Sequence, residues 1–245
     1  MMELMLVNPA NGNDYVGHVP VAQLTGTGTF RCAKNGAVYT GEYEGNRFHG
    51  IGVLTGADGN GYRGQFEVGK MEGAGVLTLA NGNVYHGQFK GGETEGDGVL
   101  VLANGNVYRG QFKAGNFEGD GVFTWADGNV YRGHYKGGKM ERDGVYTFAD
   151  GDVYRGQFKG DEMEGDGVYT YANGDVYRGQ YKGDKREGDG VLTFADGRQT
   201  FDQYKGGKKV SSVPFDAANP AHAALLRAAN AAEARRVRAL HRRRA

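Results

Sequence analysis

The chain has 245 residues, enough for one or two ordinary domains, with 45 Gly, 4 Pro, 15 Tyr, 12 Phe and 1 Trp. So much glycine against a usual share of about 7%, with so little proline, excludes collagen and proline-rich linkers, and the aromatic content excludes disorder. The formal charge of zero is a cancellation, because seven Arg and one Glu from Ala217 onward give a tail of +6, while residues 1–216 hold 22 bases and 28 acids, a net of −6. Such asymmetry marks a tail that meets an acidic surface, either its own body or another molecule.

The lead-in, residues 1–14, opens with an apolar Met1–Val7 that is too short for a signal core and contains Glu3. No stretch has the 18 or so apolar residues of a membrane span. Residue 2 is Met and the chain ends in Arg244-Ala245, so neither end carries a lipidation box. Cys32 stands alone, which excludes an internal disulfide and suits a reducing compartment. The expectation is a soluble intracellular protein.

A repeat array is expected over residues 15–210. Tyrosines fall at 39, 62, 85, 108, 131, 154 and 177, each 23 residues from the next. Glycines follow at fixed offsets, as in Gly156, Gly165, Gly167 and Gly174 after Tyr154. A degenerate unit with Tyr15 and Gly17 precedes the series, and Thr200-Phe-Asp-Gln-Tyr204 closes it without the leading Tyr or the Gly. That makes eight units and a worn ninth fragment; atypical ends are what a stacked array needs.

Each unit reads as a hairpin. Val153–Lys159 alternates apolar and polar residues, Gly160-Asp161-Glu162 is a turn, Gly165–Tyr171 is a second strand, and Asn173-Gly174 is expected to be a two-residue turn with both residues at positive φ. Alternation places Tyr154, Gly156, Phe158, Gly167, Tyr169 and Tyr171 on one face, and Arg155, Gln157, Lys159, Val168 and Thr170 on the other. The fold class is therefore all-β, a single-layer antiparallel hairpin solenoid rolled by strand twist into an aromatic trough. Most of these rings are read as packing against their counterparts in neighbouring units. An exposed remainder at the trough floor would have a ligand.

The phrase Tyr-Arg-Gly-Gln-Phe-Lys followed by Gly-Asp-Gly-Val, as in Tyr154–Val168, resembles the MORN repeat (membrane occupation and recognition nexus). The resemblance runs from about Tyr15 to Lys209; Arg142 departs from it, standing where Gly is expected. It implies a scaffold or adaptor, frequent in cytoskeletal, ciliary and flagellar assemblies, with a partner peptide or helix held in the trough or with phospholipid as the ligand. Catalysis in such proteins belongs to separate domains, and the repeats here occupy nearly the whole sequence.

The residues themselves offer no catalytic pattern. His18, His49, His86 and His134 sit where other units have Gln, Glu or Arg, and His222 and His241 have no ligand-bearing neighbours at zinc spacing. Asp150-Gly-Asp152 and Asn173-Gly-Asp175 lack the remainder of a calcium loop, and Gly115–Gly121 lacks the Lys-Ser/Thr ending of a phosphate loop. No enzyme activity, metal, cofactor, small-molecule substrate or specific nucleic acid is expected.

After a linker at 211–218, residues 219–244 read as a helix, with Asn219 as N-cap and Pro220 at the first position. Leu225, Leu226, Ala229, Val237 and Leu240 form a modest apolar stripe, interrupted by Glu233, opposite a basic face. Three readings stay open: the helix folds back on the last unit, docks on a partner chain or acidic filament, or lies on anionic membrane. The candidate trough contacts are Tyr108, Phe112, Trp125, Tyr131, Tyr135, Phe148, Tyr154, Phe158 and Tyr171, and the candidate tail contacts are Arg227, Arg235, Arg236, Arg238, Arg242, Arg243 and Arg244. Trp125 stands out because its unit-mates are Leu, Phe or Tyr, and Trp is enriched at interface hot spots. The partner is read as an extended or helical protein segment, with anionic membrane or a second copy of the chain as alternatives.

Overall fold

The computed structural model describes residues 4–8, 13–17, 25–32 and 34–242, with side chains described for 25–32 and 34–235. It divides into two compact units, Met1–Asn116 and Phe117–Ala245. The first unit holds β1 (Leu4–Asn8), β2 (Asn13–Gly17), β3 (Gly26–Arg31), β4 (Val38–Glu44), β5 (Arg47–Thr55), β6 (Gly61–Glu67), β7 (Lys70–Thr78), β8 (Val84–Lys90), β9 (Glu93–Val101) and β10 (Val107–Lys113). The second is built from β11 (Asn116–Thr124), β12 (Val130–Lys136), β13 (Lys139–Thr147), β14 (Val153–Lys159), β15 (Glu162–Thr170), β16 (Val176–Lys182), β17 (Lys185–Thr193), β18 (Gln199–Lys205), β19 (Lys208–Pro214) and α1 (Pro220–Arg242). Within each unit consecutive strands pair antiparallel. The lead-in thus contributes β1, and β19 runs to Pro214, four residues into the stretch expected to be a linker, because Ser211–Pro214 pair with β18.

One repeat shows why the period is fixed. Tyr154 of β14 lies opposite Tyr169 of β15, and Gly156 opposite Gly167. A Cβ on either glycine would collide with the Tyr154 ring, so the ring lies across both backbones where side chains would otherwise stand. Its hydroxyl donates to the Gln157 carbonyl at 3.1 Å. Edge-on contacts then join Tyr154 to Phe158 of its own repeat at 5.2 Å and to Tyr181 of the next at 5.0 Å. The same herringbone links Tyr62 to Phe66 and Phe89, and Tyr131 to Tyr135 and Phe158. Each such pair adds roughly 0.5–1.5 kcal/mol beyond the area it buries.

The nine-residue strands bend at their centre. Pairing of β15 with β14 skips from Gly167 to Glu164, and the two residues left over, Gly165 and Asp166, pair forward with β16 instead. Gly165 has φ 65°, a left-handed conformation that lets the strand change partner. Arg142 occupies this position in β13 with φ 61°, so the departure from the repeat is a substitution at a strained site.

The turns correct one expectation. The two-residue turn with both residues at positive φ is Gly160-Asp161 (60° and 80°), whose sense matches strand twist. At the other end of the hairpin only Gly174 is positive, at 93°; Gly174 donates its amide to the Tyr171 carbonyl at 2.9 Å, and Tyr171 donates to Asp175 at 2.9 Å. Here the chain makes a three-residue loop that ends in a left-handed Gly, the other favoured hairpin solution.

Polar ladders brace both rims. Asp152 Oδ1 accepts the amide of Ala172 at 2.8 Å, and Asn60, Asn83, Asn129 and Asp175 do the same for the residue twenty positions on. On the opposite rim Glu72, Glu95, Glu118, Glu141, Glu164 and Glu187 each accept a turn amide nineteen positions on.

Helix α1 begins where the sequence indicated, with Asn219 Oδ1 accepting the Ala221 amide at 3.0 Å. It folds back on its own unit, but across the face of β14–β17 rather than over the last edge, and β19 stays exposed. Val168 and Val191, on the face opposite the tyrosines, are 1% and 0% exposed beneath it. Glu233, which interrupts the apolar stripe, lies 3.6 Å from the Arg178 guanidinium. His222 stacks on Phe201 with ring centroids 4.0 Å apart, and its Nδ1 accepts the Asp216 amide at 3.1 Å.

Arg142→Gly removes the cost of holding an L-residue in the left-handed region. It is expected to raise stability by about 1 kcal/mol, seen as a higher urea midpoint at unchanged slope.

Candidate docking face

The nine aromatics expected to contact a partner divide sharply. Tyr108, Tyr131 and Tyr154 are 0% exposed, and Phe112, Tyr135 and Phe158 are 3–4% exposed. These six make the packed layer, and their rings are spent on the glycine pairs and on each other, so they offer a partner no surface. Trp125, Phe148 and Tyr171 are half-buried and keep an open face.

In the second unit these three are joined by rings that reasoning from the sequence left off the site. Phe123 meets Trp125 at 4.6 Å, Trp125 meets Tyr146 at 5.2 Å, and Tyr146 meets Phe148 at 4.6 Å. Phe148 then meets Tyr169 at 5.7 Å and Tyr169 meets Tyr171 at 4.8 Å. All six are half-buried, and all are tilted rather than edge-on, in contrast to the layer beneath. The signal was present in the sequence, since the positions fifteen and seventeen residues after Tyr62 and Tyr85 are Leu77, Leu79, Leu100 and Leu102, whereas after Tyr108, Tyr131 and Tyr154 they are Phe123, Trp125, Tyr146, Phe148, Tyr169 and Tyr171.

One hydrogen bond braces this row. The Tyr169 hydroxyl donates to Asp152 Oδ2 at 2.7 Å, and burial followed by that hydrogen bond pushes its ionisation well above the usual phenol value. Burial likewise raises Tyr146, with Asp127 adding to it. Among the packed tyrosines, burial pushes Tyr39, Tyr62 and Tyr85 up to about 12.

Of the tail arginines, Arg227 and Arg235 are exposed, on a helix whose Ala232 is 8% exposed against the sheet. The side chains of Arg236, Arg238 and Arg242, and residues Arg243 and Arg244, lie outside the described set, as do His18 and the His241 side chain. His49 and His134 lie beside single carboxylates, Glu44 at 3.3 Å and Asp120 at 3.5 Å. Among the described residues no three His, Cys, Asp or Glu side chains gather as a cation site, and no helix is long and apolar enough to cross a membrane.

The worn ninth fragment has its own chemistry. Asp202 stands where other repeats have Gly and is 0% exposed; its carboxylate accepts from Lys209 Nζ at 2.8 Å and from Ser212 Oγ at 2.5 Å.

The repeat geometry is matched by the family model described as MORN repeat, seven consecutive times, at residues 39–61, 62–84, 85–107, 108–130, 131–153, 154–176 and 177–197. The chain belongs to the MORN-repeat family. No curated protein matches it in sequence. Among solved structures this MORN-repeat chain is similar to the TCP10 domain of Danio rerio CPAP, at 13% identity over 86% of this chain and 99% of that one, with a TM-score of 0.48. It is also similar to the Drosophila melanogaster SAS-4 TCP domain solved with a proline-rich motif of Ana2, at 12% identity, 64% and 85% coverage and a TM-score of 0.41. The G-box domain of the microcephaly protein CPAP matches at 14% identity, 83% and 99% coverage and a TM-score of 0.42.

Asp202 gives the last MORN repeats an acid-sensitive end. Burial alone would raise its carboxyl, but hydrogen bonds from Lys209 and Ser212 outweigh this and hold it below the ordinary value. A depressed folded-state value contributes stability above the unfolded value of about 4 that is lost as pH falls through the folded one. The urea midpoint of the native chain should therefore exceed that of Asp202→Asn at pH 7, and the gap should close as the pH is lowered from about 4 to 2.

Proposed function

We propose that the chain is a non-enzymatic interaction scaffold that holds an extended or helical segment of a partner protein on the ring row of its second unit. The observation that carries this is the run of six half-buried, mutually touching rings from Phe123 to Tyr171. Rings of this kind give large contact area at low entropy cost, and helix-in-groove docking is a recurring way of using such a surface. The setting we assign is a cytoskeletal or ciliary assembly, in keeping with what the MORN resemblance implies.

The tail supports this reading over a membrane-inserted one. The apolar side of α1 is turned to Val168 and Val191, and its exposed Arg227 and Arg235 are left to make electrostatic contacts. A vesicle surface could attract such arginines, but over the described residues the apolar stripe, at Leu225 and Ala229, is turned to the sheet rather than free to insert.

Affinity capture from a native extract tests this, using the native chain, a Trp125→Ala/Tyr171→Ala variant and an Arg227→Glu/Arg235→Glu variant as baits. A partner kept by the native and charge-reversed baits, and reduced about tenfold or more on the ring variant, is the expected result. A partner kept by the ring variant and lost on charge reversal would move recognition to the tail. Salt-sensitive sedimentation with phosphatidylserine vesicles, abolished by charge reversal, would establish the membrane alternative.

A further inference from the structure

The ring row ends at an arginine that interrupts an apolar column. At the position of Arg186, earlier repeats carry Phe48, Met71, Thr94, Phe117, Met140 and Met163. Its guanidinium carbon lies 4.2 Å from the centroid of Tyr177, 5.3 Å from Tyr204 and 5.4 Å from Tyr171. Only one of its N–H groups has a protein acceptor, Nη1 donating to the Tyr204 hydroxyl at 3.2 Å, and among the described residues no carboxylate forms an ion pair with it. The arginine forms one wall of an open cavity of about 430 Å³ that Phe148, Met163 and Tyr171 also line. On the same wall Lys185 adds a second positive charge, Asp184 has Oδ1 engaged by the Met163 amide at 2.8 Å, and the Tyr181 hydroxyl is buried without a partner.

From this arrangement we infer that the cavity is the specificity site of the docking face, where Arg186 takes the carboxylate of an Asp or Glu side chain in the partner segment. Flanking apolar residues of that segment lie on Phe148 and Tyr171. The inference rests on the docking reading above and names the chemistry of its partner. A guanidinium stacked among rings is weakly hydrated and keeps a planar fork of donors, which suits it to a carboxylate in a partly dry site. Replacement of the Met of the two preceding repeats by Arg puts a charged address at this end of the ring row. A segment aligned on the rings is thereby fixed in register as well as held.

The test is selection of random 12-residue peptides displayed by their C-termini on phage against the native full-length chain, with amidated synthetic copies used to measure affinity. Free C-terminal carboxylates are absent in both formats, so only side-chain carboxylates can score. The expected result is enrichment of Asp or Glu beside aliphatic or aromatic residues, with affinity falling about tenfold or more on Arg186→Met and less on Arg186→Lys. Arg186→Met restores the residue of neighbouring repeats, and its thermal midpoint checks the fold. Peptides that bind native chain and Arg186→Met equally, or that lack acidic enrichment, overturn the inference. If such peptides still lose binding on Trp125→Ala/Tyr171→Ala, the docking reading survives alone. Failure to select any peptide sensitive to either variant overturns both.

Discussion

A tyrosine ring laid across two facing glycines is the contact on which the fold depends. In Tyr154 over Gly156 and Gly167, a large flat side chain replaces the second layer that a single sheet lacks. The phenol is completely covered. Because the ring also touches Phe158 and Tyr181, it packs its own repeat against the next, and such a repeat is not a self-sufficient hairpin. The Asx and Glu rims follow the same logic, satisfying turn and loop amides with carboxylates or amides from the preceding repeat.

This economy decides where function can reside. Rings that lie on glycines are consumed by the fold, whereas the half-buried rings from Phe123 to Tyr171, at or just past the end of the second strands, keep an open face. There the repeats differ in sequence: leucines at 77, 79, 100 and 102, aromatics at 123, 125, 146, 148, 169 and 171. The opposite face is used differently, since α1 buries Val168 and Val191 while Val53 of the first unit stays 42% exposed. The same repeat residue is core in one place and surface in another because an added helix covers it.

Much of this was legible in the residues. The 23-residue period, the strand alternation, the Asn219 cap and the MORN resemblance all lead to the observed elements, since each reflects a local rule of backbone or side-chain geometry. What escaped was the division of the aromatics. Tyr108 and Trp125 look alike in an alternation pattern, and only the depth of the glycine notch separates a ring that sinks from one that stands. The turns were read in reverse for a related reason. Asn173-Gly174 has the composition of a two-residue hairpin turn, but the Tyr171 amide bonds the Asp175 carbonyl, and the three residues between them form the loop.

The ninth fragment shows how a repeat protein ends. Thr200 in place of Tyr would leave the glycine notch empty, and Asp202 in place of Gly fills the adjacent space with a carboxylate tied to Lys209 and Ser212. Phe201, in place of the repeat Arg, offers His222 of α1 a flat surface. A carboxylate buried as deeply as Asp202 is costly when left without its partners, so it is intolerant of misalignment. An interior repeat could slide by 23 residues and find an almost identical neighbour. A terminal repeat carrying Asp202 and Phe201 cannot, because their partners on β19 and α1 occur once. What reads in the sequence as wear is a non-periodic element that tells the array where it stops and the helix where to lie.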